Sequence, residues 1–290
     1  MPARSLSVFV ILLAGALLAG CQKDRLEIVP PGDGTWEGAL EFSDRASAEA
    51  AASILRSRLG ALGVRFTVAT EGRVVETHLE GFHRAATPML RHLATTRGMV
   101  GIHRVREGSA FAQWFESASE ETTKELGLRR GADGALSLIS DSEESLERAM
   151  TDIRSVPGSI LPEHMLALRP PTRGLPKWEL FMLHKRPELE RDSIESAKLT
   201  QDPIGTAIEI TLTSDGAKTF HDLTKTMIGK RVAVALEGRV LTAPLVRDPI
   251  AGGVFRIESG STEPPLAHVQ GELWRLLLTL DPFPGEARPL

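Results

Sequence analysis

Two periods of hydrophobicity take turns along this chain. Trp36, Gly38, Leu40 and Phe42 alternate with Glu37, Ala39 and Glu41, which predicts a half-buried strand. Ser43 or Asp44 can then cap a helix over Ala48–Leu62, where Ile54, Leu55, Leu59 and Leu62 recur at helical spacing and Gly63 supplies a stop. Alternation returns in Val64–Val68 and in Val74–Leu79, and Glu71-Gly72-Arg73 between them predicts a hairpin turn. A second helix over Arg84–Thr95 and a strand near Met99–Val105 complete the order β-α-β-β-α-β over residues 36–105. That order is a ferredoxin-like, split βαβ unit.

Residues 106–176 are less regular. Helices are expected near Ser109–Leu126 and Glu143–Ile153, and Pro157, Pro162, Pro170, Pro171 and Pro176 then break the chain. This stretch is read as a helical insert and connector. Clear patterning resumes over 177–284. Leu180–Leu183 is strand-like and Ala207–Leu212 alternates. Ser214 and Asp215 open a helix to about Ile228, with Ala217, Phe220, Leu223, Thr224 and Met227 along one stripe. Arg231–Leu236 and Arg239–Val246 flank Glu237-Gly238, a second tight hairpin. A strand over Gly253–Ile257 and a helix to about Leu280, with Ser261 or Thr262 as cap and Pro264 in its first turn, finish the pattern. The expected fold class is therefore α+β, with two ferredoxin-like subdomains built on antiparallel sheets and separated by a helical insert. Val68–Val74 and Val234–Val240 echo one another, both as hairpins that follow a Gly-terminated helix. Two copies make no solenoid, and a shared solution to the same hairpin accounts for the echo.

The first residues differ from the rest. Arg4 precedes an apolar run, Leu6–Leu18, and the chain then reads Leu18-Ala19-Gly20-Cys21. A charge, a short apolar core and small residues before a cut site make residues 1–20 an export signal. The run falls short of the roughly 20 residues that cross a bilayer. Leu-Ala-Gly-Cys resembles the bacterial lipobox, in which the cysteine sulfur receives a diacylglycerol. Cys21, the single cysteine, is thus the expected lipidation site. Residues 21–35, with Pro30, Pro31, Gly32 and Gly34, are read as a tether between membrane and domain.

Charge and chemistry narrow the function by exclusion. The chain has 34 basic and 38 acidic residues, a net charge of −4, which argues against a nucleic-acid partner. One cysteine permits no internal disulfide and no thiolate zinc site. The eight histidines (His78, His83, His92, His103, His164, His184, His221 and His268) form no His-X-X-X-His pair, so neither metal nor cofactor is expected. Ser214-Asp215 sits at a helix start, where capping explains it better than nucleophilic chemistry. Lys230 follows a helix instead of preceding one, which is wrong for a phosphate loop. No catalytic constellation is expected.

Several segments are similar to SecD. Thr213-Ser214-Asp215-Gly216-Ala217-Lys218-Thr219-Phe220 with Leu223-Thr224, then Gly229-Lys230-Arg231-Val232-Ala233-Val234, then Glu237-Gly238-Arg239-Val240-Leu241-Thr242-Ala243-Pro244, resemble the head of its first periplasmic domain. Ile250, Gly253, Ile257 and Ser259-Gly260 continue the pattern. Arg58-Leu59-Gly60-Ala61-Leu62-Gly63-Val64 and Leu79-Glu80-Gly81-Phe82 resemble motifs of the base. Glu237, Arg239 and Glu80 depart from the family's usual Asp, Lys and Pro. The resemblance implies a base over 36–105 and a head over 177–284, without the family's membrane helices. It implies a non-enzymatic, lipid-anchored module on the periplasmic side of a bacterial envelope. Its expected partners are the membrane through the anchor, unfolded or translocating polypeptide, and components of the Sec translocon. The alternative is an envelope structural or assembly lipoprotein that reuses the fold outside export.

Overall fold

The computed structural model describes residues 28–172, 174–202, 205–258, 264–285 and 287–290. Cys21, the signal at 1–20, residues 21–27 of the tether and the caps Ser261 and Thr262 lie outside the described residues. Among the described residues three sheets and seven α-helices make a mixed α+β fold.

The N-terminal part runs β1 (Pro31–Phe42), α1 (Arg45–Leu62), β2 (Arg65–Glu71), β3 (Val74–Phe82), α2 (Thr87–Thr95) and β4 (Val100–Arg104). Asp44 caps α1 by accepting from the Ser47 amide at 2.8 Å. Gly63 ends the helix at φ 74, a left-handed conformation that costs glycine little. Strand β1 begins inside the stretch read as a tether. Both Pro31 and Gly34 register against Phe82, and a side chain on Gly34 would lie 2.5 Å from the Phe82 carbonyl. The glycines at 32 and 34 thus allow a close backbone approach as well as freedom.

Strand β4 does not close this unit as the β-α-β-β-α-β order predicts. It pairs antiparallel with β12 (Val232–Leu236), Ile102 opposite Val234. Val100, Gly101, Ile102 and His103 are all buried, so the strand needs cover on both faces, which an outer layer cannot give. The fourth strand of the first sheet is β15 (Ala287–Pro289), from the far end of the chain, and the order is β15-β1-β3-β2.

Residues 106–176 hold more than helices. The segment contains α3 (Ser109–Ser117), α4 (Glu120–Thr123), β5 (Gly127–Arg130), β6 (Leu136–Ser140), α5 (Glu143–Ser155) and β7 (His164–Arg169). The single helix expected over Ser109–Leu126 breaks where Ala118 and Ser119 turn extended. The Ser119 hydroxyl then starts α4 by accepting from Thr122.

The remainder is β8 (Trp178–His184), β9 (Leu189–Glu190), β10 (Ile194–Asp202), β11 (Gly205–Leu212), α6 (Ser214–Thr226), β12, β13 (Arg239–Thr242), β14 (Val254–Glu258) and α7 (Pro264–Thr279). Thr213 caps α6, so Ser214 and Asp215 sit in its first turn. Strands β10, β11 and β14 form an antiparallel sheet. The third sheet has eight strands in the order β5-β6-β8-β7-β13-β12-β4-β9.

One apolar core runs through both ends of the chain. Leu59, Leu79 and Leu90 belong to the same cluster as Ile208, Phe220, Val234 and Leu277. Each such side chain contributes roughly 1.5–3 kcal/mol when fully buried. Arg58 pins the junction beside it. This residue is 0% exposed, and its guanidinium donates to the carbonyls of Leu93, Thr96, Arg97 and Asp281. It also lies 4.2 Å over the Phe283 ring. Burial pulls its pKa down to about 10, and Glu237 opposes that fall. Arg58 stays charged, and the four carbonyls take its two terminal nitrogens, while the buried Nε has no hydrogen-bond partner.

Candidate functional site

Five strands of the eight-stranded sheet close on themselves. Strands β8, β7, β13, β12 and β4 are neighbours in that order. The end of β4 then returns to β8, with Val105 bridged to Leu183 and the Arg106 amide donating to the Met182 carbonyl at 2.8 Å. Val105, Ala167, Phe181, Leu183, Ala233, Ala235, Val240 and Ala243 form one buried cluster inside. Alanine dominates because a barrel of so few strands has little room for side chains.

The antiparallel pairing of β7 with β8 places inward residues in layers. Arg169 faces Glu179, Ala167 faces Phe181 and Met165 faces Leu183. The first layer is charged. Glu179, 1% exposed, accepts from Ser137 at 2.6 Å, Arg129 at 2.8 Å and Arg169 at 2.5 Å. Arg169 lies over the Phe181 ring at 5.6 Å. Burial lowers the Arg169 pKa and the Glu179 carboxylate partly restores it. Beside it Arg231 pairs with the enclosed Asp133 at 3.4 Å. These ion pairs close that end.

The opposite end is open. A pocket of about 210 Å³ lies where β4, β7 and the β12–β13 hairpin meet. Met99, Val100, Met165 and Ala235 make it apolar. Strand β13 meets β7 at a single register pair, Arg239 opposite Leu168, and the pocket sits beside that thin seam. Met99 is 43% exposed, although it is large and apolar.

Gly101 and His103 form the floor. The His103 ring nitrogen Nδ1 is 2.8 Å from the His184 carbonyl. Burial holds the imidazole below its ordinary pKa, against the upward pull of that carbonyl and of Glu188 and Glu190. The neutral ring therefore donates from Nδ1 and leaves Nε2 as an acceptor. A Cβ on Gly101 would lie 2.4 Å from Nε2 and 2.9 Å from the Pro187 Cβ, so the bare glycine makes room for the His103 ring and Pro187.

Glu237 sets the rim. At the hairpin tip Glu237 and Gly238 both have positive φ, 51 and 77, as a two-residue turn of this hand requires. The Glu237 carboxylate accepts from the amides of Gly98 and Met99, each at 2.8 Å. That clamp fixes Met99 against the hairpin. Glu237 was legible as a turn residue and as a departure from the SecD pattern, but its clamp depends on a chain crossing about 140 residues away.

The histidines divide. His164 and His184 stack edge to face at 5.4 Å, and the His184 backbone receives His103. Among the described residues no group of three His, Cys, Asp or Glu could hold a metal ion. His221, in α6, has an enclosed Nδ1 without a hydrogen-bond partner. Among the described residues no helix is long and apolar enough to cross a membrane.

Residues 169–268 match the family model of the SecDF P1 head subdomain. The protein translocase subunit SecDF of Thermus thermophilus is 40% identical over 77 residues, 26% of this chain and 10% of its own length. The SecD subunit of Treponema pallidum is 33% identical over 113 residues, 36% of this chain and 19% of its own. The chain thus spans a tenth to a fifth of the length of these relatives. A crystal structure of SecDF in a super-membrane-facing form covers 92% of this chain and 31% of that one, with a TM-score of 0.53 at 24% identity. A structure described as a membrane component SecDF that enhances protein export covers 88% of this chain and 97% of that one, with a TM-score of 0.50 at 23% identity.

Proposed function

We propose that this chain, which carries a SecD-type periplasmic domain, acts in protein export by holding apolar segments of unfolded polypeptide at the open end of its barrel. The observation that carries this reading is the pocket itself. It is apolar, built on strands, and lined by two methionines whose flexible thioethers adapt to differing side chains. The action is binding, and no residue set around the pocket calls for catalysis.

The same reading places the chain on the periplasmic side of the envelope membrane, beside the Sec translocon. Cys21 carries the lipid that holds it there, supported by the short apolar core and the Leu-Ala-Gly-Cys sequence. Cells fed labelled palmitate should label the protein, and Cys21→Ser should lose the label and release the protein from the membrane. A label that survives Cys21→Ser removes the anchor.

The pocket is tested with a photo-reactive amino acid at position 99 in the full-length chain. It should cross-link an unfolded polypeptide and spare the folded form of the same polypeptide. Met165→Glu should abolish the cross-link by charging the apolar wall. Equal labelling of folded and unfolded forms would defeat the proposal.

A further inference from the structure

A second pocket has a different character. It has a volume of about 390 Å³ and lies between the last turn of α5, the loop over 156–160 and the start of β7. Val156, Ile160 and Leu166 make apolar walls, and Arg154, His164 and Lys185 stand around them. Its lining holds no carboxylate. Neither Arg154 nor Lys185 has an ion-pair partner among the described residues, and both are exposed. Arg106 adds positive potential from behind, with its guanidinium 3.4 Å from His184 Nε2. Its charge helps burial depress the pKa of His164, and Glu163 is the one acid that pulls the other way. In a chain of net charge −4, this is a cationic pocket set against the background.

We propose that this pocket seats an acidic segment of a protein partner. One apolar side chain of the segment enters between Val156 and Leu166, and flanking carboxylates meet Arg154 and Lys185. Charge complementarity selects the acidic partner. Concavity selects a polypeptide over a bilayer. A flat anionic surface could touch Val156, 48% exposed, and Leu161, 49% exposed, but could not reach Leu166, which is 5% exposed. This site goes beyond the barrel mouth, whose only formal charges are the carboxylates Glu190 and Glu237 and which therefore does not favour an acidic segment.

The test is fluorescence anisotropy with the full-length chain and two dye-labelled peptides. One carries a central Leu flanked by Asp residues, and the other carries Lys in place of Asp. The acidic peptide should bind roughly tenfold tighter than the basic one, and salt should weaken it. Arg154→Glu with Lys185→Glu should reverse the preference, and circular dichroism should show an intact fold because both residues are exposed. Leu in the peptide replaced by Ser should weaken binding to the unaltered protein. Equal binding of the two peptides overturns the proposal, as does acidic binding that the double charge reversal leaves intact. Capture by phosphatidylglycerol vesicles that depends on Arg154, with no preference for the acidic peptide, also overturns it and assigns the pocket to a membrane surface. Cross-linking at position 99 reads the other pocket, so either proposal can fail alone.

Discussion

The two ends of the barrel are made from the same strands and are opposites in chemistry. At one end β7 and β8 present Arg169 and Glu179, and every oxygen of the carboxylate is engaged by Ser137 or an arginine. At the other end the same two strands present Met165 and Leu183, and the space beyond stays open. The buried ion pairs hold one shape, because a charge removed from water tolerates few alternative partners. The apolar end has no such restriction, and a methionine accepts many neighbours. The closed end is therefore held to one arrangement, and the open end is not.

The comparison is broken most severely by Glu179→Gln. Removing the carboxylate takes the counter-ion from the enclosed Arg169 and from the partly exposed Arg129. Loss of one partner of a buried pair costs about 3–5 kcal/mol. Urea unfolding should show a fall of that size, and cross-linking at position 99 should persist in the fraction that remains folded. A loss below about 1 kcal/mol would mean that the ion pairs are well solvated and that the closed end is not what holds the barrel.

The open end was harder to foresee than the elements that build it. Helices α1 and α6 and the hairpins at Gly72 and Glu237-Gly238 were legible because period and turn residues are local signals. Strand β4 was legible as a strand but not as a partner of β12, because a strand buried on both faces carries no mark of its neighbour. Strand β10 lacks a clean alternation and was missed, and its pairing with β11 defines it. In the insert, β5 is a short edge strand of exposed and half-buried residues, which leaves little hydrophobic signal. The site was the least legible part. Met99, Met165 and Ala235 lie far apart in sequence and are ordinary residues for strands and loops. Pairing of β4 with β12, the contact of β7 with β13 and the closure of β4 onto β8 together bring them to one place.

Acid should discriminate between the two ends more gently. Histidines gather on the open side. His103 forms the floor, His164 and His184 stack near it, and His92 lies in α2 with Arg239 and Arg58 close enough to disfavour its charge. The closed layer of Arg129, Arg169, Glu179, Asp133 and Arg231 contains none. Burial lowers the pKa of His92 from 6.5 to about 4, and it lowers those of His103, His164 and His184 as well. Each group prefers its neutral form in the folded chain. The unfolded chain therefore binds more protons between about 6.5 and 4, and stability rises with pH across that window. The histidine contribution is complete above about 6.5 and is lost as pH falls through the folded values. His92 alone accounts for roughly 3 kcal/mol between those limits. His92→Gln can keep the hydrogen bond to Thr96 while removing the titration, so its unfolding free energy should decline less steeply from pH 7 to 4. Hydrogen exchange corrected for intrinsic rate should show β4 and β12 losing protection at a higher pH than β5 and β6. If both pairs lose protection together, or if His92→Gln follows the unaltered curve, the histidines do not govern acid unfolding and the division between the two ends does not extend to pH.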